Sequence, residues 1–287
     1  MEFKIINPKT KNELLLAIRN ENNYRFGAGF TDLLMELKNK TVPELTVINL
    51  SQIEDERFNE INISTDELKL GAMVTAHKLG QSELLKRKFP VLHMAALNLA
   101  STQIRHVATI GGNICTASPS GDITCALVAL EAECEIMGAT SKTRTMPIRK
   151  FLSGVRQTDL QNKELLYRIH LPANNHGTKQ LISDFIKIGT RLSMECSVVS
   201  LAYHIQLDDA GVIIKAGIAI GASAPTVQFT ESACHFLIGK KFKSVSEKEK
   251  KEFAEKVVSY ASPISDIRAT AWYRREVLFN ISKSIFE

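Results

Sequence analysis

The sequence predicts a two-domain protein of the α+β class, in which a parallel βαβ unit comes first and an antiparallel sheet comes later. Three observations predict it. A strand pattern, a glycine-rich turn and a helix pattern follow one another at residues 24–37, strand patterns joined by short turns recur at 184–220, and helix patterns fill 226–285. A short polar stretch at residues 174–177 separates the halves and predicts domains at 1–176 and 177–287.

Each element depends on the period of its apolar residues. In the first half the pattern predicts a helix around 14–18, strands at 24–28 and 42–50 with a helix from Leu33 between them, a strand at 68–72, helices at 75–85 and 91–104, two strands within 134–146 and a strand at 164–171. In the second half it predicts strands at 184–188, 197–207 and 212–220, with a hairpin turn at 208–211, and helices at about 226–237, 245–259 and 268–285.

Composition excludes several classes of protein. The 36 basic and 31 acidic residues give a net charge of +5, and no aromatic residues are interleaved with the basic clusters, so nucleic-acid binding is disfavoured. The five cysteines form no CxxC pair, which predicts neither a metal site nor a disulfide framework. The first residues lack the apolar segment of a signal peptide, and no apolar run is long enough to span a membrane. We therefore expect a cytoplasmic protein.

Two short segments carry residues suited to holding phosphate. Residues 27–32 read Gly-Ala-Gly-Phe-Thr-Asp and lie between a strand and a helix, and residues 109–113 read Thr-Ile-Gly-Gly-Asn after a predicted helix. Glycines let the backbone approach an anion closely, and N–H groups at the start of a helix can bind it. GxGxxG and GxxxxGK[ST] spacings are both absent, which disfavours a Rossmann dinucleotide site and a P-loop. For residues 109–113 alone, a plain polar turn stays open.

Four separated blocks, at residues 27–33, 103–122, 185–193 and 263–275, resemble the FAD-binding (medium) subunit of the molybdenum hydroxylases, the family of xanthine dehydrogenase and aerobic carbon monoxide dehydrogenase. The blocks occur in the family's order and extend over essentially the whole chain. The resemblance implies an FAD-binding domain of two α/β subdomains, similar to the vanillyl-alcohol oxidase (PCMH) type. An α+β C-terminal domain with a small antiparallel sheet and helices would follow it.

The resemblance also implies which residues contact FAD. Two glycine segments would face the pyrophosphate through backbone N–H groups, Ala100 and Leu166 would make apolar contacts, Asp122 would accept a hydrogen bond from the cofactor, and Lys187 would place a positive charge near the flavin. The implied FAD residues are Phe26, Gly27, Ala28, Gly29, Phe30, Thr31, Asp32, Leu33, Ala100, Thr109, Ile110, Gly111, Gly112, Asn113, Asp122, Leu166 and Lys187. Taken singly, Ala100 and Leu166 read as core residues, Asp122 as a turn cap and Lys187 as a surface lysine.

Two residues depart from the family pattern. Phe30 stands where the first loop has its second glycine, so a bulky side chain must be accommodated there. Trp272 replaces an acidic residue in the last block, and we interpret it as a contact surface for a partner subunit.

The function implied is that of a xanthine dehydrogenase-like oxidoreductase subunit. Its FAD would pass electrons from the [2Fe-2S] clusters of a small subunit to NAD+ or another acceptor, while a molybdopterin-binding large subunit acts on the substrate. The three chains would form a heterotrimer, with its dimerisation left open. No catalytic residue and no metal ligand is predicted, because the flavin carries the chemistry. Two alternatives remain, a free-standing flavin oxidoreductase of the vanillyl-alcohol oxidase type and a scaffold module without FAD.

Overall fold

The computed structural model describes residues 3–39, 44–173, 177–191 and 194–287. Its first subdomain contains β1 (Lys4–Ile6), α1 (Lys11–Asn20), β2 (Tyr24–Gly27), α2 (Leu33–Asn39) and β3 (Thr46–Asn49). These strands form a parallel sheet in the order β1-β3-β2, so the predicted βαβ unit is confirmed. The sequence pattern missed β1, which has only three residues. Residues 42 and 43 of the predicted strand at 42–50 lie outside the described residues.

The second subdomain is built on a five-stranded antiparallel sheet. Its elements are α3 (Glu56–Asn59), β4 (Ile61–Ile63), β5 (Glu67–Gly71), α4 (Ala76–Gln81), α5 (Glu83–Lys88), α6 (Pro90–Leu97), α7 (Thr102–Val107), α8 (Ile110–Thr116), α9 (Asp122–Ala129), β6 (Glu133–Gly138), β7 (Thr143–Pro147), α10 (Ile148–Phe151), β8 (Leu152–Gly154), β9 (Gln157–Thr158) and β10 (Glu164–Pro172). The strand order of this sheet is β4-β5-β10-β6-β7. One face packs under the helices through Leu68, Leu70 and Ile169.

Two predicted helices are each broken into two. The helix predicted at 75–85 is interrupted at Ser82, whose hydroxyl accepts a hydrogen bond from the Leu85 N–H and so begins α5 as its N-cap. The helix predicted at 91–104 ends with α6, because Ala100 has a left-handed backbone (φ 41°), and Ser101 then caps α7. Apolar periodicity continues across both breaks, so the pattern alone did not show them.

Histidine 170 joins three strands on the other face of the five-stranded sheet. Its Nδ1 lies 2.5 Å from Glu67 Oε1, and its Nε2 lies 2.8 Å from Glu135 Oε2, which also accepts from Arg168 Nε at 2.7 Å. The hydrogen bond to Glu135 raises the pKa of His170 despite partial burial. Burial opposes the charge of Glu135, but the hydrogen bonds from His170 and Arg168 lower the pKa of that carboxyl to about 2.

The C-terminal domain contains β11 (Gln180–Ile188), β12 (Val199–Leu207), β13 (Ile213–Gly221), β14 (Gln228–Phe229), α11 (Glu231–Leu237), α12 (Glu247–Val258) and α13 (Ala271–Ser284). Its antiparallel sheet has the order β11-β12-β13-β14, as the hairpin pattern predicts. Side chains alternate between the two faces. Leu201 and Ile218 join the core formed with α11–α13, whereas Ala202 and Ala219 join the core of the first domain.

Helix α9 lies between the two domains, and all eight of its residues are buried. A Cβ atom added to Gly217 would lie 2.0 Å from the backbone oxygen of Ala129, so α9 packs directly on β13. The core of the first domain therefore extends onto the sheet of the second. Residues 174–176 of the predicted boundary lie outside the described residues, so the boundary stays a prediction.

Candidate functional site

The segment between β2 and α2 presents a row of free donors. The N–H groups of Gly29, Phe30, Thr31 and Asp32 have no acceptor among the described residues. Phe30 adopts a left-handed backbone (φ 59°). Consecutive N–H groups around a left-handed residue form a concave arrangement that binds anions. This segment can therefore hold a phosphate through its backbone, as the sequence predicts.

The structure shows how Phe30 is accommodated. Its ring folds back over Gly27, where an added Cβ would lie 2.3 Å from the Phe30 Cζ atom. The ring also packs against a small cluster of Leu37, Leu45 and Val47. A left-handed backbone costs a residue with a Cβ about 1–2 kcal/mol, and the packing of the ring offsets this cost. Glycine at position 27 therefore leaves room for the Phe30 ring, and the family's second glycine is replaced without loss of the turn.

The second segment differs from the expected loop, because Thr109 is the N-cap of α8 and the two glycines lie in its first turn. Its four leading N–H groups are all used. Ile110 N donates to Val74 O, Gly111 N to Ala72 O, Gly112 N to Thr109 Oγ1 and Asn113 N to Thr109 O, at 2.8–3.0 Å. The N–H groups of residues 110–113 are therefore already engaged within the protein, and pyrophosphate binding by this segment stays a prediction.

The two adjacent glycines of α8 face different surroundings. A Cβ on Gly111 would lie 2.7 Å from Ala72 O, so this glycine lets α8 pack on the backbone after β5. A Cβ on Gly112 would meet only Thr109 Oγ1, at 3.0 Å. Gly112 thus leaves open space on the outer side of the helix, and a ligand can approach the backbone there.

The two segments meet, although about 80 residues of sequence separate them. A Cβ on Gly29 would lie 1.9 Å from Val107 O, so the first segment lies directly against the end of α7. The Asp32 carboxylate accepts from Arg156 Nη1 at 2.6 Å and contacts Thr116 Oγ1 of α8 at 3.5 Å. The free N–H groups and the open side of Gly112 consequently belong to one surface.

The side chain of Asn113 links α8 to the start of α9. Its Oδ1 accepts from Thr124 N at 3.0 Å and from Thr124 Oγ1 at 2.8 Å. These bonds satisfy one of the free N–H groups at the N-terminus of α9. The second glycine segment therefore fixes the position of the helix that carries Asp122.

Asp122 is buried and already has two partners. Its Oδ2 accepts from Lys187 Nζ at 2.6 Å and its Oδ1 accepts from Ser197 Oγ at 2.7 Å. Lys187 also donates to Asn98 O at 3.1 Å. Burial raises the pKa of Asp122, while the ammonium of Lys187 and the hydroxyl of Ser197 oppose that rise. The sequence paired neither residue with Asp122, and it gave no signal for Ser197.

The remaining predicted residues lie around these segments. Leu166 is 4% exposed within the core of the second subdomain, which matches the alternative that it is a core residue. Ala100 lies at the bend between α6 and α7, where its carbonyl accepts from Arg105 Nη1. Ile110 is fully buried, whereas Phe26, Ala28 and Leu33 are partly buried. Within the described residues, no group of three or more metal-binding side chains is present.

Comparisons with known proteins identify the family of the chain. Residues 1–174 match the family described as FAD binding domain in molybdopterin dehydrogenase, and residues 184–287 match the CO dehydrogenase flavoprotein C-terminal domain. Both parts of the chain therefore match flavoprotein domains of one enzyme class. The chain belongs to the FAD-binding (medium) subunit family of the molybdenum hydroxylases, and its cofactor is FAD.

Relatives of known activity match along most of their length. The glyceraldehyde dehydrogenase medium chain of Sulfolobus acidocaldarius is 27% identical over 286 residues, covering 100% of this chain and 98% of that protein. The xanthine dehydrogenase FAD-binding subunit of Escherichia coli O157:H7 is 27% identical over 262 residues, covering 90% and 86%. A solved carbon monoxide dehydrogenase from Hydrogenophaga pseudoflava shares the fold, with a TM-score of 0.88 and 24% identity over 99% of this chain and 96% of that chain. The α+β fold class is thereby confirmed.

Proposed function

We propose that this chain is the FAD subunit of a molybdenum-containing dehydrogenase that acts on xanthine or another small substrate. Its FAD would pass electrons from [2Fe-2S] clusters of a partner chain to NAD+ or another acceptor. The substrate would bind on a molybdopterin-binding partner chain. The cytoplasm is the proposed location, because its reducing conditions keep free thiols such as Cys196 reduced.

The observation that carries this proposal is the row of free N–H groups at residues 29–32, held against the end of α7. A pyrophosphate needs several N–H donors and close approach to the backbone, and this surface supplies both. The donor set and the space beside Gly112 therefore fit FAD. Gly29, Phe30, Thr31 and Asp32 would hold the pyrophosphate, and Gly112 would let the cofactor lie against α8.

FAD supplies the redox chemistry when it is bound, and the protein supplies orientation and charge. Lys187 is the cation proposed to lie beside the flavin, where a positive charge favours the reduced cofactor. Ala100 and Leu166 are the proposed apolar contacts of FAD. Only a small area of Leu166 is exposed, so its contact with the cofactor would be small.

A partner chain is supported by the exposed apolar residues near the C-terminus. Ile264 and Trp272 are each more than two-thirds exposed, and Ile267 is fully exposed. Large apolar side chains grouped along a short stretch are typical of protein interfaces. We propose that partner subunits of a heterotrimer cover this stretch, in agreement with the medium-chain relatives.

Three experiments test the proposal. The purified chain should show the visible spectrum of a flavin, directly or after reconstitution with FAD, and a chain without flavin absorbance in both cases would exclude any flavoprotein function. Affinity purification from its native host should recover molybdenum and iron–sulfur subunits, whereas recovery of the flavoprotein alone would favour a free-standing oxidoreductase. Reduction of NAD+ by the recovered complex would identify the acceptor.

The site itself is tested with Gly112→Val. The added side chain would fill the space beside α8, so we expect a soluble chain that does not retain FAD. Gly138→Val at the end of β6 is the matched control, because its Cβ would meet only Lys142 O at 3.8 Å. Stoichiometric FAD in Gly112→Val would show that the cofactor does not contact α8.

A further inference from the structure

The pair of Asp122 and Lys187 joins the two domains across a buried boundary. Asp122 begins α9 of the first domain, and Lys187 lies on β11 of the second. The side chains are only 5% and 13% exposed. A charged pair in such surroundings is stable only if its remaining hydrogen-bonding positions are also filled.

Ser197 fills the remaining position on the carboxylate. Its hydroxyl is 2% exposed and donates to Asp122 Oδ1 at 2.7 Å, while Lys187 holds Oδ2. A hydrogen bond to an ionised group is roughly twice as strong as one between neutral groups. Without Ser197, the carboxylate would be held from one side only, and it could turn together with the Lys187 ammonium.

The position of Ser197 is fixed by a residue from the far end of the chain. The next residue, Val198, accepts from Arg274 Nη1 at 2.6 Å through its carbonyl oxygen. The same guanidinium donates to Ala222 O at 3.0 Å and to Asp266 Oδ1 at 2.8 Å, and its residue is 4% exposed. Arg274 and Asp266 belong to the sequence block at 263–275, in which the proposed function gives a task only to the exposed apolar residues and not to this buried pair. Its task here is to hold the backbone beside Ser197.

We infer that Ser197 is a positioning residue for FAD binding, because it fixes the Asp122 carboxylate that orients the Lys187 ammonium. Arg274 supports it by holding the neighbouring carbonyl. This inference rests on the proposed function, since it requires FAD to lie within reach of Lys187.

The test is a double-mutant cycle on the full-length chain, with the FAD dissociation constant measured by flavin fluorescence quenching during reconstitution. Ser197→Ala should raise the dissociation constant about tenfold, which corresponds to about 1.4 kcal/mol. In a background that carries Asp122→Asn and Lys187→Met, which removes both charges together, the same substitution should change it less than about twofold. The neutral background avoids leaving one buried charge without its partner.

Ser200→Ala is the matched control. Ser200 is another buried serine, on β12 opposite Lys187, and its hydroxyl is hydrogen-bonded to neither Asp122 nor Lys187, so FAD affinity should not change. An equal loss of affinity after Ser197→Ala in both backgrounds would overturn the inference, as would a Ser197→Ala chain that binds FAD like the wild type. A wild-type chain that binds no FAD would instead refute the proposed function.

Discussion

The two adjacent glycines in the first turn of α8 should respond differently to replacement by alanine. Replacing glycine by alanine within a helix stabilises it by up to about 1 kcal/mol. At Gly112 the new Cβ would press only on Thr109 Oγ1 at 3.0 Å, and loss of that cap costs about 1 kcal/mol. The free energy of unfolding of Gly112→Ala should therefore stay within about 1 kcal/mol of the wild type.

Gly111→Ala should destabilise the chain instead. Its Cβ would lie 2.7 Å from Ala72 O and 2.8 Å from Ala72 Cβ, and the backbone there cannot move away without breaking the Gly111 N–H bond to Ala72 O. Overpacking of this kind costs about 1–3 kcal/mol, and the lost hydrogen bond about 1 kcal/mol more. A net loss of about 1–3 kcal/mol remains after the helix gain is subtracted.

Thermal unfolding of the two variants without FAD, followed by titration with FAD, separates the effects. At about 2–4 °C per kcal/mol, Gly111→Ala should melt several degrees below Gly112→Ala. Gly112→Ala should bind FAD more weakly, while folded Gly111→Ala should bind it nearly as well as the wild type. If Gly111→Ala were as stable as Gly112→Ala, the close approach of α8 to Ala72 would not restrict this position.

Three further results are expected. Phe30→Gly should bind FAD but unfold at a lower urea concentration. The substitution relieves the left-handed backbone strain of about 1–2 kcal/mol, but it loses more than that from the packing of the ring over Gly27. A variant more stable than the wild type would contradict this. The pKa of His170 is raised in the folded chain, so protonated His170 stabilises the fold fully below its unfolded pKa of about 6.5, and this stabilisation is lost as pH rises through the folded pKa. His170→Gln should therefore remove a fall in the free energy of unfolding above pH 6.5. A pH profile of stability that the substitution leaves unchanged would refute this prediction. In the folded chain, Ellman's reagent should label one thiol quickly, Cys196, and none in Cys196→Ser.

Much of the fold follows from local patterns in the sequence. The βαβ unit and the antiparallel hairpins were predictable because their apolar residues repeat with a clear period and short turns join them. The breaks at Ser82 and Ala100 were not, because a helix can end within an apolar stretch when a side chain caps the next helix. Strand β1 is too short to carry any period.

The sequence indicated residues of the candidate site, but it did not indicate what each of them contacts. Both Gly29 and Gly112 were predicted to let a ligand approach the backbone. Gly112 leaves open space for a ligand, whereas Gly29 makes room for Val107 O. Asp122 was expected to accept a hydrogen bond from the cofactor. Both of its oxygens already accept hydrogen bonds within the protein, and this cannot be predicted from sequence because the two partners lie 65 and 75 positions away.

Free backbone N–H donors are distributed unequally between the two glycine segments, at residues 29–32 and 109–113. A helix start can bind an anion only through N–H groups that the protein has not already used. In α8 the N–H groups of residues 110–113 are already used, in bonds to Val74, Ala72 and the cap residue Thr109. The segment after β2 leaves its N–H groups free and depends on the end of α7 for support through Gly29. We therefore propose that anion binding falls to residues 29–32, and that α8 supplies the surface against which they lie.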